Sequence, residues 1–163
     1  MWKKYILVLV LMVTGTSFGQ HLTYSELIGL LDIATDEVKV DEYLVKRGFE
    51  YSYGDSNEGV KNYAYEKLVG KDYYIAGVYY DGDINSTIYG YTLANESSGN
   101  VARWNYYKQI VSGYGYKQTN SETKENGYLW IYYQNKEYEI TMIRGKIDSG
   151  PYYNIMIKKL LNK

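Results

Sequence analysis

Past its first twenty residues the chain carries two hydrophobic periods. Between Leu22 and Gly48 apolar side chains recur every three or four residues, and Tyr24, Leu27, Ile28 and Leu31 fall on one helical face. Thr23-Tyr24-Ser25-Glu26 has the spacing of a capping box, with Leu22 and Leu27 placed as a hydrophobic staple. Ala34-Thr35-Asp36 breaks this helix and caps a second, in which Val40, Tyr43 and Leu44 face inward until Gly48 stops it. Val101, Trp104, Tyr107 and Val111 predict a third helix from about Ser98 to Ser112, ended by Gly113. The remainder alternates with period two, predicting strands over 49–53, 59–69, 72–80 and 86–93, then 114–118, 126–134, 137–145 and 152–158.

The same order occurs twice. Gly48-Phe49-Glu50-Tyr51 closes one helical stretch and Gly113-Tyr114-Gly115-Tyr116 another, an offset of 65 residues. Carried forward without a gap, that offset sets Tyr63 on Tyr128, Tyr65 on Trp130, Lys71-Asp72-Tyr73 on Lys136-Glu137-Tyr138, and Ile75 on Ile140. The expected fold is α+β: a tandem repeat of one or two helices followed by a four-stranded antiparallel sheet, the helices on one sheet face. Residues 20–93 and 94–163 are the two repeats, together forming one compact domain.

Turn chemistry sets an expected register. With Gly70-Lys71 and Asn135-Lys136 as two-residue loops, Leu68 pairs with Tyr73 and Tyr65 with Ala76, while Tyr133 pairs with Tyr138 and Ile131 with Ile140. Alternation then places Leu129, Ile131, Tyr133, Tyr138, Ile140 and Met142 against the helices, and Tyr128, Trp130, Tyr132, Glu139, Thr141 and Ile143 on the wetter face. Through the repeat, Tyr63, Tyr65, Lys67, Tyr74, Ala76 and Val78 join that outer face, and Glu66 is left pointing inward. The candidate binding face is therefore Tyr63, Tyr65, Tyr74, Tyr128, Trp130 and Tyr132. Tyrosine and tryptophan join an apolar body to a polar tip and are enriched at recognition surfaces. A protein partner is the first expectation and a glycan the second; a purely structural aromatic ladder is the third.

Met1-Trp2-Lys3-Lys4, nine apolar residues from Tyr5 to Val13, and the small residues Ser17 and Gly19 form a secretory leader, with cleavage expected between Gly19 and Gln20. Nine apolar residues are too few to cross a bilayer, so no membrane span is expected after cleavage. The mature chain is expected to be secreted or periplasmic. No cysteine follows the small residues, which argues against a lipoprotein.

Composition then narrows the chemistry. With no cysteine and one histidine among 163 residues, Cys-His catalysis, His/Cys zinc sites and thiol redox chemistry lack their parts, and a Ser-His-Asp triad would have only His21 to use. No pair stands out among 19 acidic residues as glycosidase carboxylates, so no enzyme activity and no cofactor are expected. The formal charge of −1 becomes more negative once Lys3 and Lys4 leave, and the expected open face offers only Lys61 and Lys67; nucleic acid is not an expected partner. Asp81-Gly82-Asp83-Ile84-Asn85 spaces oxygen ligands like a calcium loop but lacks the later glycine and bidentate carboxylate, and reads as a turn, as does Asp148-Ser149-Gly150. His21 reads as a solvated tail, and Glu37/Asp41 and Glu42/Lys46 as a solvated helix face.

A helical segment closed by Gly-aromatic-x-Tyr, then four antiparallel strands, repeated in tandem, resembles the β-lactamase inhibitor protein family. That group includes related secreted bacterial proteins and a small lipoprotein of the barrel-assembly machinery. The resemblance rests on Gly48-Phe49-Glu50-Tyr51, Gly113-Tyr114-Gly115-Tyr116 and the hairpins at Gly70 and Asn135. It implies two repeats joining their sheets into one concave, aromatic-lined surface that grips a protein. The chain departs from the family in lacking cysteine, where the inhibitor is disulfide-bonded, and in lacking a clear first helix in its second half. Likeness of fold does not carry the β-lactamase target over.

Overall fold

The computed structural model describes residues 21–57, 60–81, 91–98, 101–148 and 150–160. They form three helices, α1 (Tyr24–Ile33), α2 (Glu37–Val45) and α3 (Val101–Gly113). Eight strands accompany them: β1 (Glu50–Asn57), β2 (Val60–Val69), β3 (Asp72–Asp81), β4 (Tyr91–Ser98), β5 (Lys117–Thr123), β6 (Leu129–Gln134), β7 (Tyr138–Ile147) and β8 (Gly150–Lys159). The class is α+β, with every strand pair antiparallel. The expected leader over residues 1–19 and the segment 82–85 of the candidate calcium loop lie outside the described residues.

The strands form one sheet in the order β1-β2-β3-β4-β8-β7-β6-β5. The seam is β4 against β8, running from Leu93 opposite Lys158 to Ser98 opposite Tyr153. The division expected at 93/94 falls inside β4.

At the start of α1 the capping box forms. Thr23 Oγ1 accepts from Glu26 N at 3.3 Å, and Glu26 Oε2 accepts from Thr23 N at 2.8 Å. The other carboxylate oxygen takes Arg47 Nε at 2.8 Å, tying the residues just past α2 to the first turn of α1. Tyr43 donates its hydroxyl to Glu26 O at 2.9 Å, and the Arg47 guanidinium lies 3.5 Å from the Tyr43 ring centroid. Gly29 permits this approach, since a Cβ there would stand 3.1 Å from the Tyr43 oxygen.

Burial opposes ionisation of Glu26, yet the bonds from Thr23 and Arg47 outweigh it and hold the carboxyl below the ordinary glutamate value. A depressed folded-state pKa contributes stability above the unfolded value, about 4.3, and that contribution is lost as pH falls through the folded value. The stability difference between the native chain and Glu26→Gln is expected to be full at pH 6 and to shrink below about pH 4.3. Urea unfolding across pH 2–7 measures it.

The core joins Leu22, Leu27, Leu30, Leu31, Val40 and Leu44 from the first helical region and Trp104, Tyr107, Ile110 and Val111 from α3 to sheet side chains. Val101, expected on the inner face of α3, is 53% exposed, and Arg103 is buried instead. Arg103 Nη2 donates to Tyr107 Oη at 3.1 Å, with the guanidinium 4.4 Å from that ring's centroid, so aromatic faces and a hydroxyl offset its desolvation.

Gly48 follows α2 at φ 78° and leads into buried Phe49. In the second half Gly113 is still helical, and Gly115, at φ 70°, leads into buried Tyr116. The offset of 65 thus sets Gly48 on a glycine that is still helical, and the positive-φ glycine that ends this stretch is Gly115. In the first hairpin the register is the expected one, with Leu68 opposite Tyr73 and Tyr65 opposite Ala76. The second slips by two residues: Gln134 faces Glu139, Tyr133 faces Ile140 and Ile131 faces Met142. The turn is displaced by one residue, Asn135 N donating to Tyr138 O at 3.0 Å around Lys136-Glu137, while Asn135 Oδ1 accepts from Glu137 N and Tyr138 N. A slip of two preserves which side each chain faces.

Candidate functional site

The expected open face divides in two. Tyr63, Tyr65 and Tyr74 are 2%, 1% and 0% exposed and belong to the core, with Ala76 and Val78 beside them. Tyr63 donates to Glu37 Oε2 at 3.2 Å, and Tyr65 bonds the Asp41 carboxylate. Glu37 and Asp41 on α2 are therefore acceptors for buried phenols, not a purely solvated face, whereas the Glu42–Lys46 pair is exposed as expected. Burial first, and these carboxylates second, push both hydroxyls above the ordinary tyrosine value. Lys61 and Lys67 also turn to the helix side, reaching Thr35 O and Arg47 O. The pairing within β2–β3 is as expected; its sidedness is inverted, because inward positions have the same parity in both halves (Tyr65 in β2 and Ile131 in β6, Ala76 in β3 and Ile140 in β7), so an offset of 65 set inward positions on outward ones. Glu66, the residue left pointing inward, lies on the outer side, where it accepts from Ser52 at 3.2 Å and from Tyr73.

Tyr128, Trp130 and Tyr132 stand on the side opposite the core. Their cross-strand neighbours are outward-facing positions of β7 and β8: Trp130 faces Ile143, Tyr132 faces Thr141, and Ile143 in turn faces Asn154. Helix contacts made by Glu37, Asp41 and Trp104 all fall on the other side, Trp104 meeting Tyr153 at 5.7 Å between ring centroids.

The rings form a plate. Trp130 and Tyr132 lie 6.3 Å apart with planes 32° from parallel, and Tyr128 and Tyr152 lie 5.5 Å apart at 34°. The plate hides Ile143, 4% exposed although outside the core cluster. Gly145 makes room for it, since a Cβ there would meet Tyr128 ring atoms at 2.5–2.8 Å. Tyr152 and Gly145 escaped the sequence reading; a glycine inside an alternating strand marks a close approach and was the available signal.

Charge sits at the rim. Tyr132 donates to Glu122 Oε1 at 2.7 Å, and Lys124 Nζ pairs with the same oxygen at 2.6 Å while standing 5.6 Å from the Trp130 centroid. Burial, then the bond to Glu122, pushes the Tyr132 hydroxyl up to about 12. On the opposite rim Glu139 takes Gln134 Nε2 at 2.6 Å, with Lys158 at 3.8 Å. The Trp130 Nε1–H is buried and has no hydrogen-bond partner among the described residues.

No protein-family model, curated protein or solved structure matches the chain. Among the described residues no group of three or more His, Cys, Asp or Glu is arranged to hold a metal ion. No described helix is long and apolar enough to cross a membrane. His21 is not a solvated tail: it is partly buried, 6.1 Å from the Tyr106 ring, at the mouth of a cleft beside α1.

Proposed function

We propose that the chain is a secreted or periplasmic, non-enzymatic binding module. Its outer aromatic plate, Tyr128, Trp130, Tyr132 and Tyr152, engages a protein partner. The observation that carries this reading is the two tilted ring pairs, Tyr128–Tyr152 and Trp130–Tyr132, on the side of the sheet away from the core, with the buried Trp130 N–H among them. A core aromatic serves packing alone; an aromatic plate beyond the core is the composition of an interface centre. Glu122, Lys124, Glu139 and Lys158 give the rim both signs of charge, which suits a protein surface better than a polyanion.

The tandem arrangement belongs to the same proposal. On this reading two four-stranded units lie side by side, joined through β4 and β8; the strand order supports it, as does one core cluster that unites side chains of all three helices with those of both units. This order supports the resemblance to the β-lactamase inhibitor fold, with the plate in the position of its gripping surface. The leader accounts for export.

A photo-crosslinking side chain at Tyr132 is expected to give a discrete protein adduct in an extract of the source cells. The adduct should vanish when Trp130→Ala is added and be absent when the probe replaces exposed Leu68. Equal labelling from Leu68, or an adduct indifferent to Trp130→Ala, overturns the proposal. Binding on a glycan array that Trp130→Ala abolishes, with no protein adduct, replaces the partner class.

A further inference from the structure

A cleft of about 260 Å³ opens where the chain enters α1, remote in sequence from the aromatic plate. Leu22 and Phe49 give it apolar surface, and Lys46, Arg47 and Lys67 line it with charge. The volume suits a small ligand rather than a drug-sized one. Glu26 is the single carboxylate in the lining, and both its oxygens are committed, one to Arg47 and one to the Thr23 cap. Lys46 also reaches Glu42 outside the lining at 3.8 Å, so three cations stand against two carboxylates, and the positive end of the α1 dipole adds to that excess.

Arg47 and Lys67 are held in place. Arg47 is fixed by Nε on Glu26, by Nη1 on Tyr43 O at 2.8 Å and by its stack on the Tyr43 ring. Lys67 Nζ sits 2.7 Å from Arg47 O, against the Phe49 ring. His21 completes the mouth. Burial, followed by the charges of Arg103 and Lys67 and against that of Glu26, holds its imidazole below the ordinary histidine value. It is therefore neutral at pH 7, with one N–H to donate.

We propose that this cleft binds a phosphate group, carried on a small apolar body that rests on Leu22 and Phe49. A planar carboxylate is recognised best by the two-pronged fork of arginine, and here Nε and Nη1 of Arg47 are already used within the protein. What remains is positive charge converging from separate side chains, the arrangement that fits a tetrahedral oxyanion. The site is independent of the plate and of any partner there.

His21 is the only histidine in the chain, so its imidazole resonance is an unambiguous reporter. Titration with inorganic phosphate at constant ionic strength is expected to shift that resonance saturably and to raise the His21 pKa by about one unit, as a nearby anion does. Lys46→Gln, which leaves the helix junction untouched, and Lys67→Gln, which keeps a donor for Arg47 O, should each weaken phosphate binding about tenfold if a close charge pair worth about 1.4 kcal/mol is lost. A response no larger than with sodium chloride, saturation by acetate as strong as by phosphate, or affinity unchanged in both lysine variants overturns the proposal.

Discussion

Tyr74→Ala is expected to lower folding stability by about 3–5 kcal/mol, the range for deleting a large buried aromatic. Tyr74 is fully buried, and its neighbours Tyr63 and Tyr65 are nearly so. A loss of that size is a large share of the roughly 5–15 kcal/mol that holds a native domain together. Urea unfolding should also show Tyr53→Ala within about 0.5 kcal/mol of the native chain, because Tyr53 is 53% exposed. Tyr65→Phe isolates the phenol. It keeps the ring and removes the bond to Asp41, and since exposed Asp41 regains water the cost should be about 1 kcal/mol. A Tyr74→Ala variant as stable as Tyr53→Ala would show that the first-half tyrosines do not form the core.

Gly145→Ala tests the plate. The added methyl would stand 2.5–2.8 Å from Cδ1, Cε1 and Cγ of Tyr128, atoms near the base of the side chain that no small rotation moves away. The ring must leave its place beside Tyr152, at a cost of about 1–3 kcal/mol typical of overpacking. Tyr128→Ala removes the obstacle. The double variant is therefore expected to be less destabilised than the sum of the singles, with a coupling of about 0.5–3 kcal/mol. Additive losses would mean that Tyr128 does not lie over Gly145. Displacing Tyr128 should also weaken the Tyr132 adduct as Trp130→Ala does, linking packing on this face to recognition.

Local signals in the sequence were sound where one residue type decides them. Thr23-x-x-Glu26 caps α1, and Gly70-Lys71 fixes the β2–β3 register. The side of the sheet was harder to read because tyrosine is amphipathic. A ring with a hydroxyl fits a core as well as a surface, provided the core supplies an acceptor, and α2 supplies Glu37 and Asp41. Those two acids, four apart, looked like a solvated stripe. Within β2 the polarity pattern chooses no side, because Tyr63 and Tyr65 share their parity with Lys61 and Lys67 while Asn62 and Glu66 share theirs with Ala64 and Leu68. The side was therefore taken from the second half through the offset of 65, which set inward positions on outward ones. In the second half the aliphatics Ile131, Ile140 and Met142 cannot be mistaken for surface, and there the expected sides hold even though the pairing past the Asn135 turn is slipped by two residues. The cleft at His21 had no sequence signature: its cations come from the end of α2 and from β2, brought together only by the fold.

The sorting of aromatics between the two sides of the sheet is tested most directly by hydroxyl-radical footprinting of the native protein, read residue by residue by mass spectrometry. Tyr63, Tyr65 and Tyr74 are expected to stay unmodified at doses that oxidise Tyr53, Tyr128, Trp130 and Tyr132, and to react only when the chain is unfolded. Oxidation of Tyr63 and Tyr65 as fast as Tyr53, with Trp130 and Tyr132 protected, would contradict the account.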